Sequence, residues 1–230
     1  MEVEEKFVVI AGLICEPVRA KMLWCLLDGR AYTASELAIA ADISATSASN
    51  HLLKLREADM IKMEIQGRHR YYAFSRPEVA YAVESLATLA GNNLLGKEKE
   101  PANLTDIQFC RTCYDHLAGF VGVKITDALQ AKGYLASSDS VYEVTDSGWN
   151  WLERLEITEE NFNNNRRPLT RQCLDWSERR PHLAGQLGAS ILEKMLAQRW
   201  FKKNAFSRAL AVTAKGRQEL RDGLGVDILY

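Results

Sequence analysis

The chain reads as mainly α with small β-hairpins (α+β), on three observations. Residues 33–75 run as a short amphipathic segment, a tight turn, a second segment rich in small polar residues, and two alternating apolar runs around Gln66-Gly67-Arg68. A long apolar-rich segment then opens at Pro77. The second half carries an internal duplication. Together these predict an N-terminal winged helix-turn-helix followed by two tandem winged-helix-like lobes.

Each element has a local cause. Residues 6–14 (KFVVIAGLI) form an apolar helix that stops near Glu16-Pro17, and Pro17 suits the first turn of the next helix, which Asp28-Gly29 ends. Thr33 with Glu36 three places on makes a capping box for a helix over 34–41. Asp42-Ile43 form the turn, and Ser44 caps a helix from about 45 to 58. Residues 60–65 and 69–74 alternate as two strands of a hairpin. Pro77 opens a helix over residues 77–95, and the charged, Pro-terminated run 96–102 reads as a linker. The expected domains are therefore 1–95, a linker at 96–102, and a duplicated domain over 103–230.

The duplication is explicit. His116-Leu117-Ala118-Gly119-Phe120-Val121-Gly122 recurs as His182-Leu183-Ala184-Gly185-Gln186-Leu187-Gly188, and Arg111-x-Cys113-x-Asp115 recurs as Arg171-x-Cys173-x-Asp175. Val144-Thr145-Asp146-Ser147-Gly148 matches Val212-Thr213-Ala214-Lys215-Gly216. The copies span about 110–158 and 170–227, each expected as helix, hairpin, helix, with extra residues inserted before His182.

Composition bounds the function. A chain of 230 residues with 47% hydrophobic content has ample apolar material for packed cores. Lys+Arg number 29 against 30 Asp+Glu, a net charge of −1, so any nucleic-acid affinity must come from a local basic face. Five cysteines without disulfide-framework spacing indicate reduced thiols in a cytoplasm. The acidic start and the short apolar run fit neither a signal peptide nor a membrane span. No Gly-rich phosphate loop, His-Glu-x-x-His or Gly-x-Ser-x-Gly occurs, so neither catalysis nor a cofactor is expected.

In the helix from Ala45, Ala48, Leu52 and Leu55 form one apolar stripe, which places Thr46, Ser47, Asn50, His51 and Lys54 outward or beside it. Asn pairs bidentately with adenine, and Ser, Thr or His serves a base or a phosphate. Between residues 44 and 76 six cations (Lys54, Arg56, Lys62, Arg68, Arg70, Arg76) face three carboxylates (Glu57, Asp59, Glu64). Arg68-His69-Arg70 lies at the wing tip, where phosphate or minor-groove contact is expected. The alternative is a winged-helix module that binds another protein through the same face.

Glu16-Pro-x-Arg19-x-x-x-Leu23-x-x-Leu26-Leu27-x-Gly29, Ser35-Glu36-Leu37-Ala38, Ile43-Ser44-x-x-Ser47-x-Ser49-x-His51-Leu52-x-x-Leu55 and Gly67-Arg68-x-x-x-Tyr72 resemble the ArsR/SmtB winged-helix repressors over about residues 6–92. The resemblance implies a homodimer formed through the first helix and the long helix after the wing, bound to an inverted repeat of double-stranded DNA. It carries over Thr46, Ser47, Ser49 and Asn50 as groove-facing, with Arg68 and Arg70 on the wing; Ser44, His51, Lys54 and His69 complete the expected DNA-binding set. Two departures stand out. Leu37-Ala38-Ile39-Ala40-Ala41-Asp42 holds no Cys-x-Cys, and residues 77–95 hold no histidine, so the two usual metal-sensing sites are not supported. A signal, either a small molecule or a redox change, is then expected to enter through the second half.

That half offers Cys110-x-x-Cys113-x-x-His116, read as one side of a helix, with Cys173 as the counterpart of Cys113. Three uses stay open: a transition-metal site on Cys110, Cys113, His116 and Cys173, a thiol redox switch, or buried structural residues, the last being preferred. The insertion before His182 argues against symmetric ligands. Cys15 and Cys25 are expected in the core, as are Trp149, Trp151, Trp176, Trp200 and Phe201, with an effector pocket as the alternative for the aromatics.

Overall fold

The computed structural model describes residues 2–90, 104–162, 167–204 and 207–228, and the chain divides into two compact units, Met1–Leu86 and Ala87–Tyr230. The linker expected at 96–102 lies outside the described residues. No helix among those described is long and apolar enough to cross a membrane.

In the first unit, α1 (Val3–Ile14) and α2 (Pro17–Leu26) meet at Glu16-Pro17. The Glu16 carboxylate accepts from the backbone N–H groups of Val18 and Arg19 at 3.2 and 3.0 Å, capping α2, with Pro17 at its first position. Buried Arg19 reaches the other way, donating from Nε to Leu13 O at 2.7 Å and from Nη2 to Gly12 O at 2.9 Å. One four-residue motif thus satisfies both the open N-terminus of α2 and the open carbonyls of α1. A two-residue strand, β1 (Tyr32–Thr33), precedes α3 (Ala34–Ala41). It is too short to leave an alternating pattern and is visible only through its pairing. The Thr33–Glu36 capping box forms as expected.

Asp42, at φ 58°, ends α3 in the left-handed conformation that Asp tolerates, and the chain re-enters a helix at α4 (Ala45–Glu57). Two longer strands follow, β2 (Ile61–Gln66) and β3 (His69–Phe74), and then α5 (Pro77–Ala90). The sheet has order β1-β3-β2, all antiparallel, with Tyr32 opposite Tyr72 and Gln66 opposite His69. Leu23, Leu26, Leu27, Leu37, Leu52 and Leu55 are each at most 1% exposed and form the core beneath α4. Burying each is worth about 1.5–3 kcal/mol, so α4 rests on a stiff base.

In the second unit each repeat is hairpin, helix, hairpin, helix, one hairpin more than expected. A short α6 (Asp106–Phe109) leads into β4 (Arg111–Cys113), β5 (His116–Ala118), α7 (Gly119–Ala131), β6 (Leu135–Ser138), β7 (Val141–Val144) and α8 (Asp146–Leu152). The second copy is β8 (Arg171–Leu174), β9 (Pro181–Ala184), α9 (Gly185–Ala197), β10 (Phe201–Lys203), β11 (Leu210–Val212) and α10 (Ala214–Leu224). The lobes share one core: Val121, Ile125 and Leu129 of α7 sit in the same cluster as Leu187, Ile191 and Met195 of α9.

The repeated glycines have one stereochemical cause. A Cβ on Gly122 would lie 2.7 Å from Leu117 O, and one on Gly188 2.6 Å from Leu183 O, so each helix packs directly on the strand before it. Trp151, Trp200 and Phe201 are buried in this core, and Trp149 packs against it. Trp176 instead covers the buried Arg111 guanidinium, 4.5 Å from the ring centroid.

Candidate nucleic-acid interface

The exposed face of α4 follows from its buried one. Ala48, Leu52 and Leu55 point inward, which turns Thr46, Ser49, Asn50 and Leu53 to the opposite side. Thr46, Ser49, Asn50 and Lys54 are exposed, as is Ser44 before the helix. Ser44 accepts from the Ser47 N–H at 3.2 Å, and the Ser49 hydroxyl donates to Ala45 O at 3.0 Å. Ser47 and His51 lie on the flanks and are half-buried.

His51 is placed by Glu16, the residue that caps α2. Its Nδ1 lies 3.3 Å from Glu16 Oε2, which ties α4 to the α1–α2 junction. Partial burial alone would raise the Glu16 carboxyl pKa. The N–H donors of Arg19 and Val18, with the charges of His51 and Arg19, outweigh that and hold it below its ordinary value. His51 is thus engaged at the back of the helix, away from the face that carries Thr46 and Asn50.

The wing ends in a two-residue loop, Gly67-Arg68, with Gly67 at φ 61°, the sign a type II′ turn requires at its first central position. Arg68, His69 and Arg70 are all exposed. Lys62 is paired with Glu64 at 2.6 Å and Arg76 is paired with Asp59. Lys54, Arg68 and Arg70 have no carboxylate partner among the described residues, so their charge is available to an external anion.

Two residues that sequence reasoning passed over belong to this surface. Leu53 is 43% exposed, three places beyond Asn50 on the same face of α4, and suits contact with a thymine methyl group. Ile65 is 67% exposed on the wing, opposite Arg70. The spacing 46–50–53 was the available signal for Leu53.

The cysteine and histidine candidates divide. Cys110 is the C-cap of α6, and its thiol pKa is pushed up by burial. Cys113 and His116 do not share a helix face: they end β4 and begin β5 as directly opposed residues. Cys173 and His182 are opposed in the same way across β8 and β9. The residues inserted before His182 therefore lengthen a turn and leave the register intact, contrary to the expectation that they break the equivalence. Cys15 is exposed and Cys25 half-buried, not core; Cys15 follows α1, none of whose side chains is buried. Burial, then Asp28, raises the Cys25 thiol to about 11.

A capped helix with a polar outer face, set beside a basic hairpin, defines a winged helix-turn-helix DNA-binding module. A helix-turn-helix domain family model matches residues 15–64, which span α2 through most of β2. The chain is 41% identical over 219 residues to YdfF of Bacillus subtilis (strain 168), an uncharacterized HTH-type transcriptional regulator, covering 95% of this chain and 97% of that protein. The chain belongs to the HTH-type transcriptional regulators, and it is a DNA-binding regulator of transcription. Among solved structures it is similar to HlyU from Vibrio cholerae N16961 (28% identity, 39% of this chain and 97% of that one, TM-score 0.36). It is also similar to the repressor BigR from Xylella fastidiosa (21% identity, 37% and 87%, TM-score 0.34).

Proposed function

We propose that this chain is a cytoplasmic, homodimeric repressor of the ArsR type that reads an inverted repeat through α4 and grips the flanking backbone with its wing. The observation that carries the reading is the exposed Thr46–Asn50–Leu53 face of α4 together with Arg68 and Arg70 on the wing, which have no carboxylate partner among the described residues. Thr46, Ser49, Asn50 and Leu53 take the base edges. Ser44, Lys54, Arg68, His69 and Arg70 take the phosphates, with Ser47 and His51 in support.

The dimer is supported by α1, which buries none of its side chains within this chain, with Phe7 69%, Val8 63% and Val9 50% exposed. Leu86 of α5 is also exposed, at 41%. A row of large apolar side chains on two helices is what a symmetric helical interface covers. In this reading residues 1–95 bind DNA and dimerise, 96–102 link, and 103–230 receive a small-molecule or redox signal that loosens the operator complex. Coupling of about 1–3 kcal/mol changes operator affinity roughly 5–150-fold. The protein acts as a regulator, not an enzyme.

Footprinting of the purified chain on genomic fragments tests the reading. Protected pseudo-palindromes with half-sites about one helical turn apart are expected. Light scattering should give twice the chain mass. Uniform, unpatterned protection would leave only a non-specific basic surface.

A further inference from the structure

We infer that Cys113, His116, Cys173 and His182 form a closed tetrahedral site for a divalent transition metal, of which zinc is the best match. The site holds the hairpins of the two repeats together.

The S···S and N···N spacings are those of a metal site, and so are its supports. One ligand atom from each residue lies within 4.8 Å of all the others, and all four side chains are buried. The two sulfurs are 3.8 Å apart, and the two Nε2 atoms are 3.1 Å apart. A tetrahedron with Zn–S near 2.3 Å and Zn–N near 2.0–2.1 Å has S···S edges of about 3.8 Å and N···N edges of about 3.3 Å. A disulfide would need the sulfurs at about 2.05 Å.

The imidazoles are already aimed. His116 Nδ1 lies 3.2 Å from Asp115 Oδ1, and His182 Nδ1 lies 3.4 Å from Asp175 Oδ2. A carboxylate lies on the Nδ1 side of each ring, hydrogen-bonded in the Asp115–His116 pair, and the two Nε2 atoms are turned toward one another. At 3.1 Å the two Nε2 atoms share one proton as a hydrogen bond, a place that a metal cation would take over, and the two sulfurs lie beside it. The carboxylates are themselves fixed. Asp115 is held by Arg167, and Asp175 by buried Arg111 through two bonds of 2.9 Å and by the Gly119 N–H at 2.7 Å. This is the pattern of metal-bound histidines oriented by carboxylates.

Each repeat supplies one Cys and one His as a cross-strand pair, so neither hairpin completes the site alone. Four protein ligands leave no open position, and two sulfurs with two nitrogens select zinc over magnesium or calcium. The metal is therefore structural, a cross-link between repeats whose hairpins are otherwise only 3 or 4 residues per strand.

The test uses the full chain, purified anaerobically with reductant and without an affinity tag that binds metal. Elemental analysis should give about one zinc per chain. Cobalt(II) added to the chelated protein should give the intense visible bands of a tetrahedral thiolate site, displaced by zinc. Cys173→Ala and His182→Gln should each remove both signals. No zinc together with no tetrahedral cobalt spectrum in the unaltered chain overturns the inference, whether or not the variants fold. So does a Cys113–Cys173 disulfide in the purified chain, or cobalt binding that both variants retain.

Discussion

Removing the wing charges by the double substitution Arg68→Ala and Arg70→Ala gives a quantitative prediction. Both side chains are exposed and neither has a carboxylate partner among the described residues, so the change leaves no buried charge behind and fold stability should be unaltered. Each phosphate contact contributes about 0.9 to the slope of log affinity against log salt. Two contacts per protomer are then worth about 1.8, and a dimer with both wings engaged about 3.6. Between 50 and 200 mM salt, a lost slope of about 3.6 in the proposed dimer means that the variant's affinity falls about 150-fold less than that of the unaltered protein, and one engaged wing alone would give about 12-fold. Fluorescence anisotropy with a labelled operator over that range measures it. The deficit should be large at low salt, shrink at high salt, and affect every DNA sequence alike. An unchanged slope would refute the placement of the wing on the backbone. A deficit confined to particular base pairs would move the arginines into base reading.

Other substitutions separate reading, scaffold and junction. Asn50→Ala should cost about 1–3 kcal/mol on the preferred operator and relax preference at particular base pairs; uniform weakening in a binding-site selection would assign Asn50 to the backbone. Thr33→Ala removes the cap whose Oγ1 accepts from Glu36 N at 3.3 Å. It should lower stability by about 1 kcal/mol and the melting point by about 2–4 °C, followed by circular dichroism. The Glu16 carboxyl pKa is held below its ordinary 4.5 in the folded chain, so the stability it contributes is complete above that value and is lost as pH falls through it and below. Urea midpoints of the unaltered chain should therefore drop more steeply between about pH 5 and pH 3 than those of Glu16→Gln. Parallel curves would remove Glu16 from the acid dependence.

The first unit was legible where its signals are local. Glu16-Pro17, the Thr33–Glu36 box, Ser44 and Gly67 each act within four residues, and the helices and hairpin they bound lie close to where they were expected. The hairpins of the second unit were not. A three-residue spacing such as Cys113 to His116 fits one face of a helix as well as the two ends of a tight turn. The residue that turns the chain is Tyr114 at φ 58°, with no Gly or Asn to mark it. His182, the counterpart of His116, was discounted as a partner for the cysteines because the insertion hid an intact register. The exposed face of α4 could be derived from its buried stripe, whereas the engagement of His51 by Glu16 required the packing of α4 near α2, which no local pattern carries.

Regulation at a specific operator requires α4 to discriminate between DNA sequences. Equilibrium binding at physiological salt, to a fragment of the chain's own promoter and to a shuffled fragment of equal length, tests it most directly. Preference of about 10³-fold or more for the promoter is expected of specific recognition. Equal affinity for the two fragments would contradict it.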